Sequence, residues 1–165
     1  MASAPTALIL SIGSELLLGE TIDTNGAYLA AALADAGLEL LGVRQLPDDR
    51  AVIATAIRDG MVAADVVLTT GGLGPTHDDL TREGIADAVG EVLEEDPALA
   101  NQLRVRFGGA DRMPLSNLRQ AMRIPSATVL ANPIGSAPGW WVEREGKVLD
   151  LMAALEEDAA EDREE

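Results

Sequence analysis

The segment Thr70-Gly71-Gly72-Leu73-Gly74-Pro75-Thr76-His77-Asp78-Asp79-Leu80-Thr81 pairs bare backbone with adjacent carboxylates. Glycines let the chain approach a ligand closely and turn its N–H groups outward, and a helix N-terminus favours bound anions. Two neighbouring aspartates can hold a hard divalent cation through oxygen ligands. Phosphate binding beside a metal is the chemistry such a segment supports, with Asp78 and Asp79 as the metal-holding and catalytic pair. The plainer reading is a tight turn whose aspartates only cap the following helix.

A second group lies near the N-terminus. Gly13-Ser14-Glu15-Leu16-Leu17-Leu18-Gly19 follows an apolar run and leads on to Asp23-Thr24-Asn25. Ser14 and Glu15 are placed to face a ligand from the end of a strand. A carboxylate directly after a buried strand needs a partner or water. Asp23 and Thr24 can equally be helix caps. Asp79 and Glu83 are spaced i, i+4 and would share a helix face with Thr81 nearby. His77 is the only histidine and reads as an exposed bystander.

Elements that alternate along the chain must position these groups. Ala7 to Gly13 reads as a strand buried on both faces. Asn25 to Ala36 places Leu29, Ala32, Leu33 and Ala36 on one helical stripe closed by Gly37. Leu38 to Leu46 is the next strand. Asp48 can cap a helix carrying Ile53, Ala56, Ile57, Gly60 and Met61 on one face. Val66 to Thr69 is a third strand, and Leu80 or Thr81 to Val89 a third helix stopped by Gly90. This βαβαβα order favours right-handed crossovers and a parallel sheet covered by helices. Ligands collect beyond the carboxyl ends of such strands, where both glycine turns, at Gly13 and at Gly71 to Gly74, would sit.

Further on, Asp96-Pro97 opens a helix that runs to Phe107. Ser116 can cap a short helix to Arg123, and Thr128 to Leu130 is a short strand. Asn132 to Gly139 is a rigid proline- and glycine-rich loop. Trp140 to Glu143 and Lys147 to Leu149 read as a hairpin around Arg144-Glu145-Gly146. Residues 150–165 form an alanine-rich acidic stretch, expected as a helical tail after a single domain at 1–149.

Composition excludes several classes. The chain has 165 residues, no cysteine and a formal charge of -16, with eight acids and one arginine in residues 150–165. A nucleic-acid surface needs a basic footprint that this chain lacks. No cysteine-based zinc site or disulfide framework is available. No signal peptide or membrane-length apolar run is apparent, so a cytoplasmic location is expected.

In order along the chain, four motifs carry a resemblance. Thr70 to Glu83 closely resembles the signature of the molybdopterin-binding (MoaB/MogA-like) domain superfamily. The Pro-Thr-x-Asp-Asp form at Pro75 to Asp79, with Ser11 to Gly19 and Asp23-Thr24-Asn25, looks most like the N-terminal domain of the CinA (competence/damage-inducible protein) family. Asn132 to Gly139 is similar to that family's later loop. The resemblance covers Ala7 to Leu149.

It implies a three-layer α/β/α sandwich with a mostly parallel sheet that binds a pterin or nucleotide phosphate. For CinA-type proteins it implies metal-dependent ADP-ribose pyrophosphatase activity with Mg2+ or a similar divalent ion. Asp79 matches the aspartate common to the superfamily, and Asp78 belongs to the CinA-type form. Gly71, Gly72 and Gly74 would shape the phosphate loop. Glu15, Asn25 and the Ser136 to Gly139 loop would line one pocket together with Gly13, Ser14 and Thr81. The competing readings are a molybdopterin-binding or adenylyltransferase domain and a non-catalytic, truncated binding module. Two features depart from the family. Its usual strand and Pro-Gly-Val-Pro-x-Glu-Met loop after the hairpin are absent, as is its carboxy-terminal nicotinamide-nucleotide amidase domain. Val148-Leu149 would pass straight into the tail, and the unpaired sheet edge left there would favour a homo-oligomer.

Overall fold

A computed structural model describes residues 3–133 and 135–152. The chain alternates as the apolar periodicity requires. β1 (Thr6–Ile12) leads through a short α1 (Ser14–Leu17) to α2 (Thr24–Asp35), then β2 (Glu39–Leu46) and α3 (Arg50–Ala63). β3 (Val66–Thr70) and α4 (Thr81–Val89) follow, then the two-residue β4 (Glu94–Glu95) and α5 (Pro97–Arg106). After 3-10 turns at Ala110–Arg112 and Leu115–Ala121 come β5 (Met122–Arg123), β6 (Thr128–Leu130), β7 (Gly139–Arg144) and β8 (Lys147–Met152).

The six-stranded sheet has the order β2-β1-β3-β8-β7-β6, while β4 and β5 form a separate antiparallel pair. Pairings among β2, β1, β3 and β8 are parallel; β8–β7 and β7–β6 are antiparallel. Strand residues alternate between the two faces. Leu8, Leu10 and Ile12 therefore meet Ile53, Ile57 and Ile85 from α3 and α4, while Ala7, Ile9 and Leu68 meet Leu29 and Leu33 from α2. With apolar side chains needed on both faces, the central strands read as continuous hydrophobic runs. The α/β/α sandwich expected from the sequence is the observed architecture.

Several local expectations change. Asp49, not Asp48, caps α3, accepting from the amides of Ala51 and Val52 at 2.9 Å. Asp48 instead accepts from the Ser14 amide and hydroxyl at 2.8 and 3.0 Å. The α2 stripe is narrower than expected, because Leu29 and Leu33 are buried while Ala32 and Ala36 are exposed. The short helix expected to run from Ser116 to Arg123 is a 3-10 helix over Leu115–Ala121 capped by Pro114, and Met122–Arg123 is β5.

The largest change is at the end. Asp150, Leu151 and Met152 belong to β8 and not to an acidic helix, while residues 153–165 lie outside the described residues. β8 is both the second arm of the hairpin and the parallel neighbour of β3. It fills the interior position of the sheet, so the open edge expected at that end is not there; the edges are β2 and β6.

Placing Asp150 in an interior strand has an energetic consequence. It is 9% exposed, sits opposite Leu68 on the α2 side, and its Oδ1 has no partner among the described residues. Burial pushes its carboxyl up to about 6. The folded-state value thus lies above the unfolded one of about 3.9, so the acid favours folding when protonated and costs stability as pH rises from about 4 through 6. Asp150→Asn is expected to raise stability by about 2–3 kcal/mol at pH 7. The gain should vanish by pH 4, as read by urea denaturation of both proteins across that range.

Candidate functional site

Parallel pairing brings the carboxyl ends of β1 and β3 to one rim. Ser11 stands opposite Thr70, Thr70 opposite Met152, and Leu130 opposite Gly139. Since β8 pairs antiparallel to β7, the loop between β6 and β7 emerges at the same rim. Three loops therefore share that edge: 13–23, 71–80 and 131–138.

At the centre lies the glycine loop. Gly71 has φ +89°, and a Cβ there would fall 2.0 Å from the Ile12 carbonyl oxygen. Only glycine lets the loop lie this tightly against β1. Thr81 is fully buried, and its hydroxyl donates to the Gly71 carbonyl at 2.8 Å. Arg82, 3% exposed, donates from Nη2 to the Leu73 carbonyl at 2.7 Å. Gln120 Nε2 reaches that same carbonyl at 3.4 Å. Arg119 donates to the carbonyls of Thr76 and Asp79 and pairs with Glu83 at 2.6 Å.

This network draws the loop carbonyls toward the body of the protein. A trans peptide holds its N–H opposite its C=O, so the amides that follow turn toward the rim. Two guanidinium groups stand behind them. Burial pulls the Arg82 guanidinium down to about 10, still protonated at neutral pH. The side of the loop that holds these carbonyls is therefore positive. Such an arrangement suits an anion.

The acidic pair sits at the loop's far end. Asp79 Oδ2 accepts from the Thr76 amide at 2.9 Å and from the Thr76 hydroxyl. Asp78 is 73% exposed at its side chain and meets His77 Nε2 at 2.9 Å. Leu80 occupies the N-cap of α4, so neither aspartate caps that helix. Asp79 precedes the helix, and Glu83 turns to Arg119 instead of sharing a face with it. His77 is 91% exposed, in keeping with a bystander.

Among the described residues the expected pocket residues fall into two separate cavities at this rim. The smaller, about 150 Å³, is walled by Ser11, Glu15, Asp23, Asn25, Thr70 and Gly71 among others. Asn25 Nδ2 donates to Thr70 Oγ1 at 3.3 Å, and Asp23 caps α2 by accepting from Gly26. The Ser11 hydroxyl has no partner among the described residues. The larger cavity, about 360 Å³, lies between α5 and the loop after β6, walled by residues including Leu99, Gln120, Val129, Gly135 and Ser136.

The expected site residues therefore divide. Glu15, Asn25 and Gly71 line one cavity, and Ser136 lines the other. Ser14 is turned to Asp48, Thr81 is spent on fixing the loop, and Gly139 is buried in β7. Gly13 donates its amide to Leu46 at the start of the first loop. Gly72 and Gly74 shape the loop itself, packing against Thr81 and the Asp79 carboxylate. Asp78 and Asp79 line neither of these two cavities. Arg82, Arg119 and Gln120 carry no sequence signal that marks them for the site. For Ser11 and Thr70, polar residues closing otherwise apolar strands were the available signal.

An α/β sandwich with a glycine loop at the carboxyl rim of its parallel strands belongs to the class of open-sheet domains whose loops gather at that edge. Residues 8–156 match the family described as "Probable molybdopterin binding domain", and the chain belongs to that family, on its CinA-like branch. It is 46% identical over 150 residues to a CinA-like protein of Thermomicrobium roseum, covering 90% of this chain and 37% of the relative. A CinA-like protein of Deinococcus deserti is 47% identical over 141 residues, covering 85% of this chain and 35% of the relative. The chain thus spans little more than a third of the length of these relatives. The crystal structure of the protein CinA from Thermoplasma acidophilum superimposes with a TM-score of 0.86 at 33% identity, covering 92% of this chain and 89% of that one. MoaB from Thermus thermophilus, a molybdopterin biosynthesis enzyme, shares the fold with a TM-score of 0.55 at 21% identity over 90% of this chain and 80% of its own. Among the described residues no helix is long and apolar enough to cross a membrane.

Proposed function

We propose that this domain binds a nucleotide diphosphate of the ADP-ribose kind across the rim and hydrolyses it, with a divalent metal, to AMP and ribose 5-phosphate. The observation that carries this reading is the glycine loop, its carbonyls tied back by Arg82, Arg119 and Gln120, reaching the smaller cavity at Gly71 and ending at Asp79. Water would add to one phosphorus, and the bond from that phosphorus to the bridging oxygen would break. The second phosphate would leave with the bridging oxygen, and the proton lost by water would pass to solvent or to that leaving group. Amides facing the rim would stabilise the charge that develops on the phosphoryl oxygens.

Among the described residues no group of three or more His, Asp or Glu side chains could enclose a metal. The donor set still fits Mg2+, which is commonly held by one or two carboxylates together with substrate phosphates. Asp78 and Asp79 would hold it, Asp78 from an exposed position and Asp79 from a carboxylate already oriented by Thr76. When bound, such an ion polarises phosphoryl oxygen and activates water. Because the protein offers so few ligands, the metal is expected to bind tightly only together with the nucleotide. Calorimetry should therefore register a strong Mg2+ signal in the presence of AMP and little without it.

The decisive experiment incubates the purified domain with ADP-ribose and Mg2+ or Mn2+ and resolves the products by chromatography. AMP and ribose 5-phosphate are expected, and lack of turnover across several divalent ions rejects hydrolysis. The family description favours a second reading, a molybdopterin-binding or adenylyltransferase domain. Titration with a pterin phosphate against ADP-ribose separates the two, since tighter binding of the pterin puts the second reading first.

A further inference from the structure

Among the described residues the sheet ends in two edge strands of unlike character. β6 is three residues long, which leaves little main chain for another strand to pair with. β2 runs for eight residues, Glu39–Leu46, and contains neither proline nor lysine. Its Leu41 is 47% and its Val43 41% exposed. The outer N–H and C=O groups of such a strand are a template for a further one.

Register shows which strand β2 can accept. Thr6 stands opposite Glu39, Ala7 opposite Leu40, Leu8 opposite Gly42, Ile9 opposite Val43 and Leu10 opposite Arg44, with a bulge at Leu41. Residues directly opposite each other share a face. Ala7 and Ile9 lie on the α2 side and Leu8 and Leu10 on the α3 side, so Leu40 and Val43 face α2 while Gly42 and Arg44 face α3. Thr6 alternates with Ala7, which places Glu39 on the α3 side as well. In a regular strand residues five apart lie on opposite faces. The bulge returns Glu39 and Arg44 to the same one.

A second copy of β2, turned about a two-fold axis through the bulge, matches this pattern. Glu39 falls opposite the partner's Arg44 on one face, and Leu40 opposite the partner's Val43 on the other. The axis repeats both pairs. Neighbouring registers that keep the faces matched set Glu39 against the partner's Leu46 or the partner's Gly42, and leave both charges unpaired. Gly42 lies beside the axis, where an added Cβ would meet no heavy atom of the described residues within 4 Å. Glycine inside a strand often marks a place where another backbone comes close.

A six-residue ladder is only about 20 Å long, and a stable dimer buries about 1,200–2,000 Å². The helices beside the edge have apolar surface to add. α2 carries one charged residue, Asp35, among its twelve, and it leaves Ala27, Tyr28, Ala31 and Ala32 exposed. A helix with apolar residues all round is normally covered. On the other face a groove of about 400 Å³ between β2 and α3 is walled by Arg44, Leu46, Val52, Ala56 and Asp59 among others.

We infer that the protein forms a two-fold dimer in which β2 pairs antiparallel with β2 of a second copy, continuing the sheet across the Glu39–Arg44 pairs. The inference stands apart from the ligand read at the rim.

Sedimentation equilibrium of the full chain tests it, with a mass of about 34 kDa expected, twice the 17.2 kDa of one copy. Glu39→Arg and Arg44→Glu each set like charges opposite one another at two symmetric places. Each is expected to weaken association at least about tenfold. Both together recreate opposite pairs, and association is expected to return to within about threefold of the unaltered chain. Both positions are exposed, and far-UV circular dichroism verifies the fold of each variant. The chain has no cysteine, so Leu41→Cys beside the axis gives a second readout. Mild oxidation should join two copies there, but not through Val62→Cys, which lies by Lys147 of β8, three strands from the edge. A chain that stays monomeric up to about 100 μM overturns the dimer. A dimer that neither single change weakens, or that the combined change does not restore, overturns this interface. Cross-linking no faster through Leu41→Cys than through Val62→Cys does the same.

Discussion

Gly71→Ala is expected to lose about 3–5 kcal/mol of stability, placing it among the most damaging single substitutions. Its methyl group would sit 2.0 Å from the Ile12 carbonyl oxygen, which belongs to a central strand and cannot retreat without breaking the β1 ladder. The φ of +89° adds backbone strain of about 1–2 kcal/mol. A domain with total stability of about 5–15 kcal/mol would be left marginal. Gly146 supplies the control. It has φ +77° in the β7–β8 turn but no heavy atom within 4 Å of an added Cβ. Gly146→Ala should therefore show the strain without the collision. Urea unfolding of the two variants measures the difference, and equal losses would mean that contact between loop and strand is not what demands glycine at 71.

Asp79→Asn is expected to lower ADP-ribose hydrolysis by at least about a hundredfold with little change in melting temperature. The amide keeps an oxygen that can accept from the Thr76 amide and hydroxyl, so the turn retains its bonds. What it loses is negative charge, which a divalent ion and its bound water require. Asp78→Asn separates the roles of the pair. Asp78 holds no backbone amide in place, so its loss should act mainly by raising the Mg2+ concentration needed for half-maximal rate. Hydrolysis by Asp79→Asn within a few-fold of the unaltered domain would remove this carboxylate from the chemistry. A large drop in melting temperature would show instead that its charge serves the turn.

Much of the scaffold was legible because it rests on local patterns. Apolar runs such as Ala7 to Ile12 can only be strands covered on both sides, and the capping residues Asp96-Pro97 and Gly90 mark helix ends that the structure reproduces. The loop from Gly71 to Asp79 was legible for the same reason, as glycine and adjacent acids are unusual after a buried strand. Asp48 and Asp49 show the limit. Both are competent caps, and the choice fell to Asp49 because Asp48 is claimed by Ser14 across the rim. A contact between residues 14 and 48 leaves no periodic trace.

Position in the sheet was equally hidden. Val148 to Met152 carries the same short apolar signal whether it ends at a hairpin edge or enters the middle of a sheet. Pairing with both β7 and β3 decided the matter, and it buried Asp150 in a strand that composition had assigned to an acidic tail. The division of the candidate site had the same origin. Glu15 and Ser136 lie at one rim but on opposite faces, which follows from strand register and not from either residue's neighbours in the chain.

From sequence alone came the alternation of elements, the glycine loop and the acids beside it, since each is dictated by the conformational and solvation preferences of neighbouring residues. Tertiary packing decided which carbonyls are tied down, where Gln120 points, and that Glu15 and Ser136 line different cavities. These depend on side chains distant in the chain competing for the same few hydrogen-bonding groups, and only the closed fold settles that competition.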